Sequence, residues 1–159
     1  MHDEQRSDEL TDAVLFASRA LVAIAARSLS AAPSDVTLPQ YRALVVLASR
    51  GPQRTADLAA ELDVAPSSIT RLCDRLERKR LVSRRSDRDD RRQVTIAITA
   101  AGRKLVDAVT KVRRRDIGRV VKHIPLKRRA TLIAALNELG AAAGEVPEQA
   151  WSLGWGTDR

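Results

Sequence analysis

The sequence predicts a mainly α protein with one small β-hairpin. Three observations predict it. Apolar residues recur at spacings of three and four along most of the chain, Val94, Ile96 and Ile98 alternate with period two, and only Asp63-Val64-Ala65 separates two helical segments. At 159 residues and 44% hydrophobic, the chain is long enough to bury one core.

Taken in order, Leu10, Val14, Ala17, Leu21 and Ile24 predict an amphipathic first helix reaching about Ser30, with those residues inward. Thr37 and Gln40 have capping-box spacing around Pro39, which opens a second helix with Tyr41, Leu44, Val45 and Ala48 inward. Gly51-Pro52 stops it. Thr55 is placed to cap a short third helix through Leu62, and Pro66 opens a fourth that runs to about Arg80. In the fourth, Ile69, Leu72, Cys73 and Leu76 share one face, while Ser67, Thr70, Arg71, Asp74, Arg75 and Arg78 surround the other.

Residues 81–85 and 94–99 then pair as a hairpin whose tip is the charged run RRSDRDDRR. Thr99 caps a long fifth helix with Leu105, Val109, Val112, Val120 and Ile124 inward. It ends before Pro125, and a sixth helix carries Leu132, Leu136 and Leu139. The organisation expected is an N-terminal helix over 1–36, a central lobe over 37–99, C-terminal helices over 100–145 and a tail over 146–159 containing Trp151 and Trp155.

The formal charge is +8, and it is unevenly spread. Residues 1–40 carry 3 Lys/Arg against 6 Asp/Glu, residues 71–92 carry 10 against 5, and residues 103–129 carry 11 against 2. Such asymmetry points to a polyanion, of which nucleic acid is the commonest, though an acidic protein or membrane surface would satisfy the same field; aromatics at 3% are too few for the stacking platforms of single-strand binders, which makes duplex DNA the preferred polyanion. No nucleophile–base pair, glycine-rich phosphate loop or metal-ligand spacing is present, so no catalysis, metal or cofactor is expected. The charged N-terminus and the lack of an uninterrupted apolar run of about 18 residues predict a cytoplasmic protein with no membrane partner.

A tight helix-turn-helix followed by a basic hairpin is the layout of a winged helix. The fourth helix would enter the major groove with Pro66, Ser67, Ser68, Thr70 and Arg71 toward base edges, and Arg75 and Arg78 toward phosphate. Arg84, Arg85, Arg88, Arg91 and Arg92 would serve the wing, Asp87 and Asp90 would orient them, and Arg54 and Thr55 would meet phosphate. Cys73 reads as a packing residue. The runs Arg113-Arg114-Arg115 and Lys127-Arg128-Arg129 suit three placements: on DNA, against Asp3, Glu4, Asp8, Glu9 and Asp12 across a dimer, or in solvent.

From Leu44 through Gly102 the chain resembles the MarR (multiple antibiotic resistance regulator) family of bacterial winged-helix repressors. The resemblance rests on Thr70-Arg71-Leu72, Asp74 through Glu77, Leu81-Val82, Arg84, Asp87, Asp90-Arg91-Arg92, Thr99 and Gly102. It implies a homodimer built by helices 1, 5 and 6 that reads a pseudo-palindrome in double-stranded DNA. It also implies release by a small aromatic or phenolic effector, with Arg19, Leu21, Tyr41, Leu44 and Val112 as candidate pocket residues that periodicity equally makes core. A constitutive or architectural DNA binder without an effector is the alternative. Two departures from the family pattern are Arg80, where glycine usually ends the recognition helix, and Arg88, where proline is common.

Overall fold

In a computed structural model, which describes residues 2–32, 35–86 and 94–151, the order of elements follows the sequence pattern closely. Helix α1 spans His2–Ser30, α2 Leu38–Arg50, α3 Thr55–Glu61 and α4 Pro66–Arg78. Strands β2 (Val82–Ser86) and β3 (Val94–Ile98) form the hairpin, followed by α5 (Ala100–Val121) and α6 (Leu126–Ala142). One element was not expected. Gln53–Arg54 forms β1, which pairs antiparallel with β3 and makes a three-stranded sheet in the order β1-β3-β2. Two residues are too few for any periodicity to announce them.

The local start signals act much as their spacing requires. Thr37 accepts the Gln40 amide while the Gln40 side chain accepts from the Thr37 amide, closing the capping box. Thr55 behaves differently: it is the first residue of α3, and its hydroxyl donates to the Val94 carbonyl at 3.2 Å. It ties α3 to β3 and caps nothing.

Both helices of the helix-turn-helix end in a Schellman motif. After α3, Asp63 donates to the Ala60 carbonyl and Val64 to that of Ala59; after α4, Arg80 donates to Glu77 and Leu81 to Leu76. The motif needs a left-handed residue, and Asp63 (φ 50°) and Arg80 (φ 57°) supply it without being glycine. The junction that follows is tight. Thr99 donates its hydroxyl to the Arg80 carbonyl and its amide to the Leu81 carbonyl, and accepts from the Gly102 amide at 3.1 Å. Gly102 makes this possible, because a Cβ there would collide with the Leu81 carbonyl oxygen and come within 2.7 Å of Ile98 Cγ1.

The core runs from Val36 through α2, α3, α4 and the sheet to Leu105, Val106 and Val109 of α5. Beyond it, the inward faces expected of the outer helices are not covered by their own chain. Of the α1 stripe only Ile24 is buried, with Leu10 67% and Leu21 49% exposed. Val120 of α5 is 52% exposed, and α6 has no buried residue, leaving Leu136 and Leu139 in contact with solvent. The stripes are real but face outward.

The first part of the tail is not free. Gly144 (φ 73°) reverses the chain after α6, its carbonyl accepts from Arg50 at 2.7 Å, Glu145 takes a two-point hydrogen bond from Arg42, and Trp151 packs against the core. Trp155 lies outside the described residues.

Because Arg80 holds a left-handed conformation that costs an L-residue roughly 1–2 kcal/mol, Arg80→Gly should stabilise the fold, the gain being partly offset by greater freedom in the unfolded chain. A rise in Tm of about 2–4 °C at fixed protein concentration is expected, and an unchanged or lower Tm would contradict the account.

Candidate nucleic-acid interface

Helix α4 divides sharply. Ile69, Cys73 and Leu76 are wholly buried, whereas Pro66, Ser67, Ser68, Thr70, Arg71, Arg75 and Arg78 are all exposed. Burial pushes the Cys73 thiol pKa up, so the sulfur stays a neutral packing group, as its spacing predicted. Thr70 returns its hydroxyl to the Pro66 carbonyl at 3.0 Å, which leaves its oxygen to accept from a partner.

The fold sets two further features beside this face. The capped N-terminus of α2 lies across a shallow notch of about 250 Å³ from Ser68, Arg71 and Arg75, and a neighbouring notch adds Arg78 and Lys79. Four basic side chains, Arg71, Arg75, Arg78 and Lys79, thus line the notches beside the start of α2, with Asp35 the one acid among the lining residues. Sequence reasoning did not place Lys79 or the start of α2 beside this face. The capping box marked a helix start, but no local signal said that it would sit next to α4. On the other side, Arg54 and Thr55 share a cleft of about 710 Å³ with Pro66 and Thr70.

Two expected contact residues are used internally. Thr55 has given its only hydroxyl proton to Val94, so its side chain is not a phosphate donor. Arg84 turns under α4 and does not face out: its guanidinium meets Asp74 at 2.5 Å and the Thr70 carbonyl at 3.3 Å, with Glu77 Oε2 3.6 Å from Nε. It braces the strand against the recognition helix. Arg85, one residue on and so on the opposite face of β2, is exposed. The wing residues Asp87, Arg88, Asp90, Arg91 and Arg92 lie outside the described residues.

The five residues named for an effector pocket differ in their surroundings. Leu44 is wholly buried and Tyr41 is 3% exposed, both within the core, while Arg19 and Leu21 lie on the exposed side of α1 and Val112 is half-buried. Periodicity could not separate core from cleft. Tyr41 instead anchors a junction of three helices. Its hydroxyl meets Thr110 Oγ1 at 3.4 Å, the Arg113 guanidinium lies 5.2 Å from the centre of its ring, and Arg113 also donates to Ser28 of α1 at 3.4 Å. Burial raises the phenol pKa, so it stays protonated. An apolar cleft of about 610 Å³ lies nearby along α1, lined by Val22, Ala25, Ala26, Leu29, Val36 and Leu38 among others.

Comparisons with known proteins agree with this geometry. The MarR family model matches residues 36–94. The HTH-type transcriptional regulator YhbI of Bacillus subtilis is 36% identical over 75 residues, 47% of this chain and 49% of that protein. The HTH-type transcriptional repressor MdtR of the same organism is 34% identical over 67 residues, 42% of this chain and 43% of that one. The match thus spans about half the length of these curated relatives or less. Among solved structures, RV1404 from Mycobacterium tuberculosis is 41% identical, covers 88% of this chain and 95% of that one, and superposes with a TM-score of 0.81. A MarR family protein from Bacillus stearothermophilus is 25% identical over 89% of this chain and 98% of that one, with a TM-score of 0.78. A recognition helix split between packing and exposure, a braced hairpin, the family match over the lobe that holds them, and likeness over nearly the whole chain lead to one conclusion: the chain belongs to the MarR family.

Proposed function

We propose that the chain is a transcription regulator that binds double-stranded DNA as a homodimer and represses from a pseudo-palindromic operator. The single observation that carries the reading is the exposed face of α4. Its small polar residues let a helix approach the floor of the major groove, and its arginines lie where guanine edges and phosphates would be met. The lobe involved is the one expected over 37–99, with 1–36 and 100–145 supplying the dimer.

The dimer through α1, α5 and α6 is supported by the apolar side chains these helices leave exposed, which together exceed what scattered surface residues explain. The same exposure explains why α1, from Glu4 to Ser30, is long and apolar enough to cross a membrane by length and composition. The expectation that no such segment exists counted only uninterrupted runs; the apolar part of this one, after Asp12, is interrupted by Arg19 and Arg27. We read its apolar face as covered by a second copy, and place the protein in the cytoplasm. A small aromatic effector would suit the apolar cleft along α1 better than the buried Tyr41 and Leu44.

Footprinting on fragments carrying the gene's own upstream region tests the proposal. A short two-fold-symmetric footprint, with half-sites about one helical turn apart, is expected; uniform coating of the duplex would instead indicate an architectural binder. Three substitutions separate the roles. Arg71→Ala should relax sequence preference and cost about 1–3 kcal/mol of binding. Arg91→Ala should weaken all sequences alike and lower the salt slope of log K by about one. Arg84→Ala should weaken binding roughly tenfold with the slope unchanged, since its partners are Asp74 and Glu77 and not phosphate; a reduced slope would assign it to DNA after all.

A further inference from the structure

A second concentration of basic residues lies outside α4, around the turn between α5 and α6. Helices α1 and α5 meet where Arg113 reaches Ser28; α1 is buried only at Ile24 and Ser28, near its C-terminal end, and α5 from Gly102 to Thr110, near its start. The N-terminal turns of α1 and the α5–α6 corner therefore both lie outside the buried core. They carry opposite charge. Glu4, Asp8, Glu9 and Asp12 stand against Arg6 alone in the arm, whereas residues 117–137 contain Arg119, Lys122, Lys127, Arg128 and Arg129 and no acid.

Part of this charge is taken up locally. Asp116 holds Arg119 at 3.3 Å, and Arg129 donates to the carbonyls of Ile124 and Lys122. Among the described residues, Asp8, Glu9 and Asp12 make no ion pair, and neither do Lys122, Lys127 and Arg128. Each patch has an apolar centre: Leu10 and Phe16, 67% and 75% exposed, in the arm, and Val121 and Leu126, 38% and 77% exposed, at the corner. An apolar centre with a charged rim is the anatomy of a protein–protein contact.

We propose that the acidic arm of α1 docks on the basic α5–α6 corner of a second copy of this chain. The inference rests on the dimer reading above and adds what steers and selects the partner. A two-fold operation makes the contact twice, each arm meeting the other copy's corner. Because these side chains are exposed, the attraction is screened by salt and acts over about a Debye length, roughly 10 Å at 0.1 M.

The test uses two variants of the full chain, Asp8→Lys with Glu9→Lys, and Lys127→Glu with Arg128→Glu, each checked for a wild-type circular dichroism spectrum. Sedimentation equilibrium at 50 mM salt should show each variant alone dimerising about tenfold or more weaker than wild type, with the gap closing at 0.5 M. Mixed together, the two should prefer each other, since a basic arm then meets an acidic corner and an acidic arm a basic corner. Single variants that dimerise like wild type, or a mixture with no preference for the heterodimer, would overturn the docking while leaving the dimer intact. A wild-type chain that is monomeric at all concentrations would overturn the dimer reading itself. If the corner variant alone loses binding to nonspecific duplex or to anionic phosphatidylserine vesicles and dimerises normally, the corner serves that polyanion and the proposal fails.

Discussion

Everything in the DNA-facing lobe hangs on the contact between Gly102 and the Leu81 carbonyl. The missing Cβ lets the first turn of α5 lie against the end of the recognition helix, where Thr99 then makes three hydrogen bonds to Arg80, Leu81 and Gly102. That one knot fixes the end of α4, the base of the hairpin and the direction in which α5 leaves.

Around that knot, charge is divided between holding the lobe together and facing outward. Arg84 is turned inward onto Asp74 and Glu77, and Thr70 adds its carbonyl, so the strand at the base of the wing is tied to α4. Arg71, Arg75, Arg78 and Lys79 remain exposed beside the N-terminus of α2. The net charge of a segment says nothing about this division. Only the partner within reach of each guanidinium decides it.

The outer helices follow the opposite logic. They are tied to the lobe at few points: Arg113 joins α1, α2 and α5, and the chain after α6 returns to α2 through Arg42 and Arg50. Between those points their apolar residues remain uncovered. A protomer built this way has a closed core in one lobe and exposed apolar faces on the helices outside it.

Sequence alone determined what depends on neighbours a few residues away. The capping box at Thr37, the proline starts of α2 and α4, and the split face of α4 all follow from spacings within one or two turns. Tertiary structure decided what depends on distant partners. Thr55 found Val94, Arg84 found Asp74, β1 found β3, and Tyr41 and Leu44 were drawn into the core. It also decided that the stripes of α1 and α6 face away from their own chain. An amphipathic period shows that a face must be covered, but the side chains within that period carry no information about which molecule covers it.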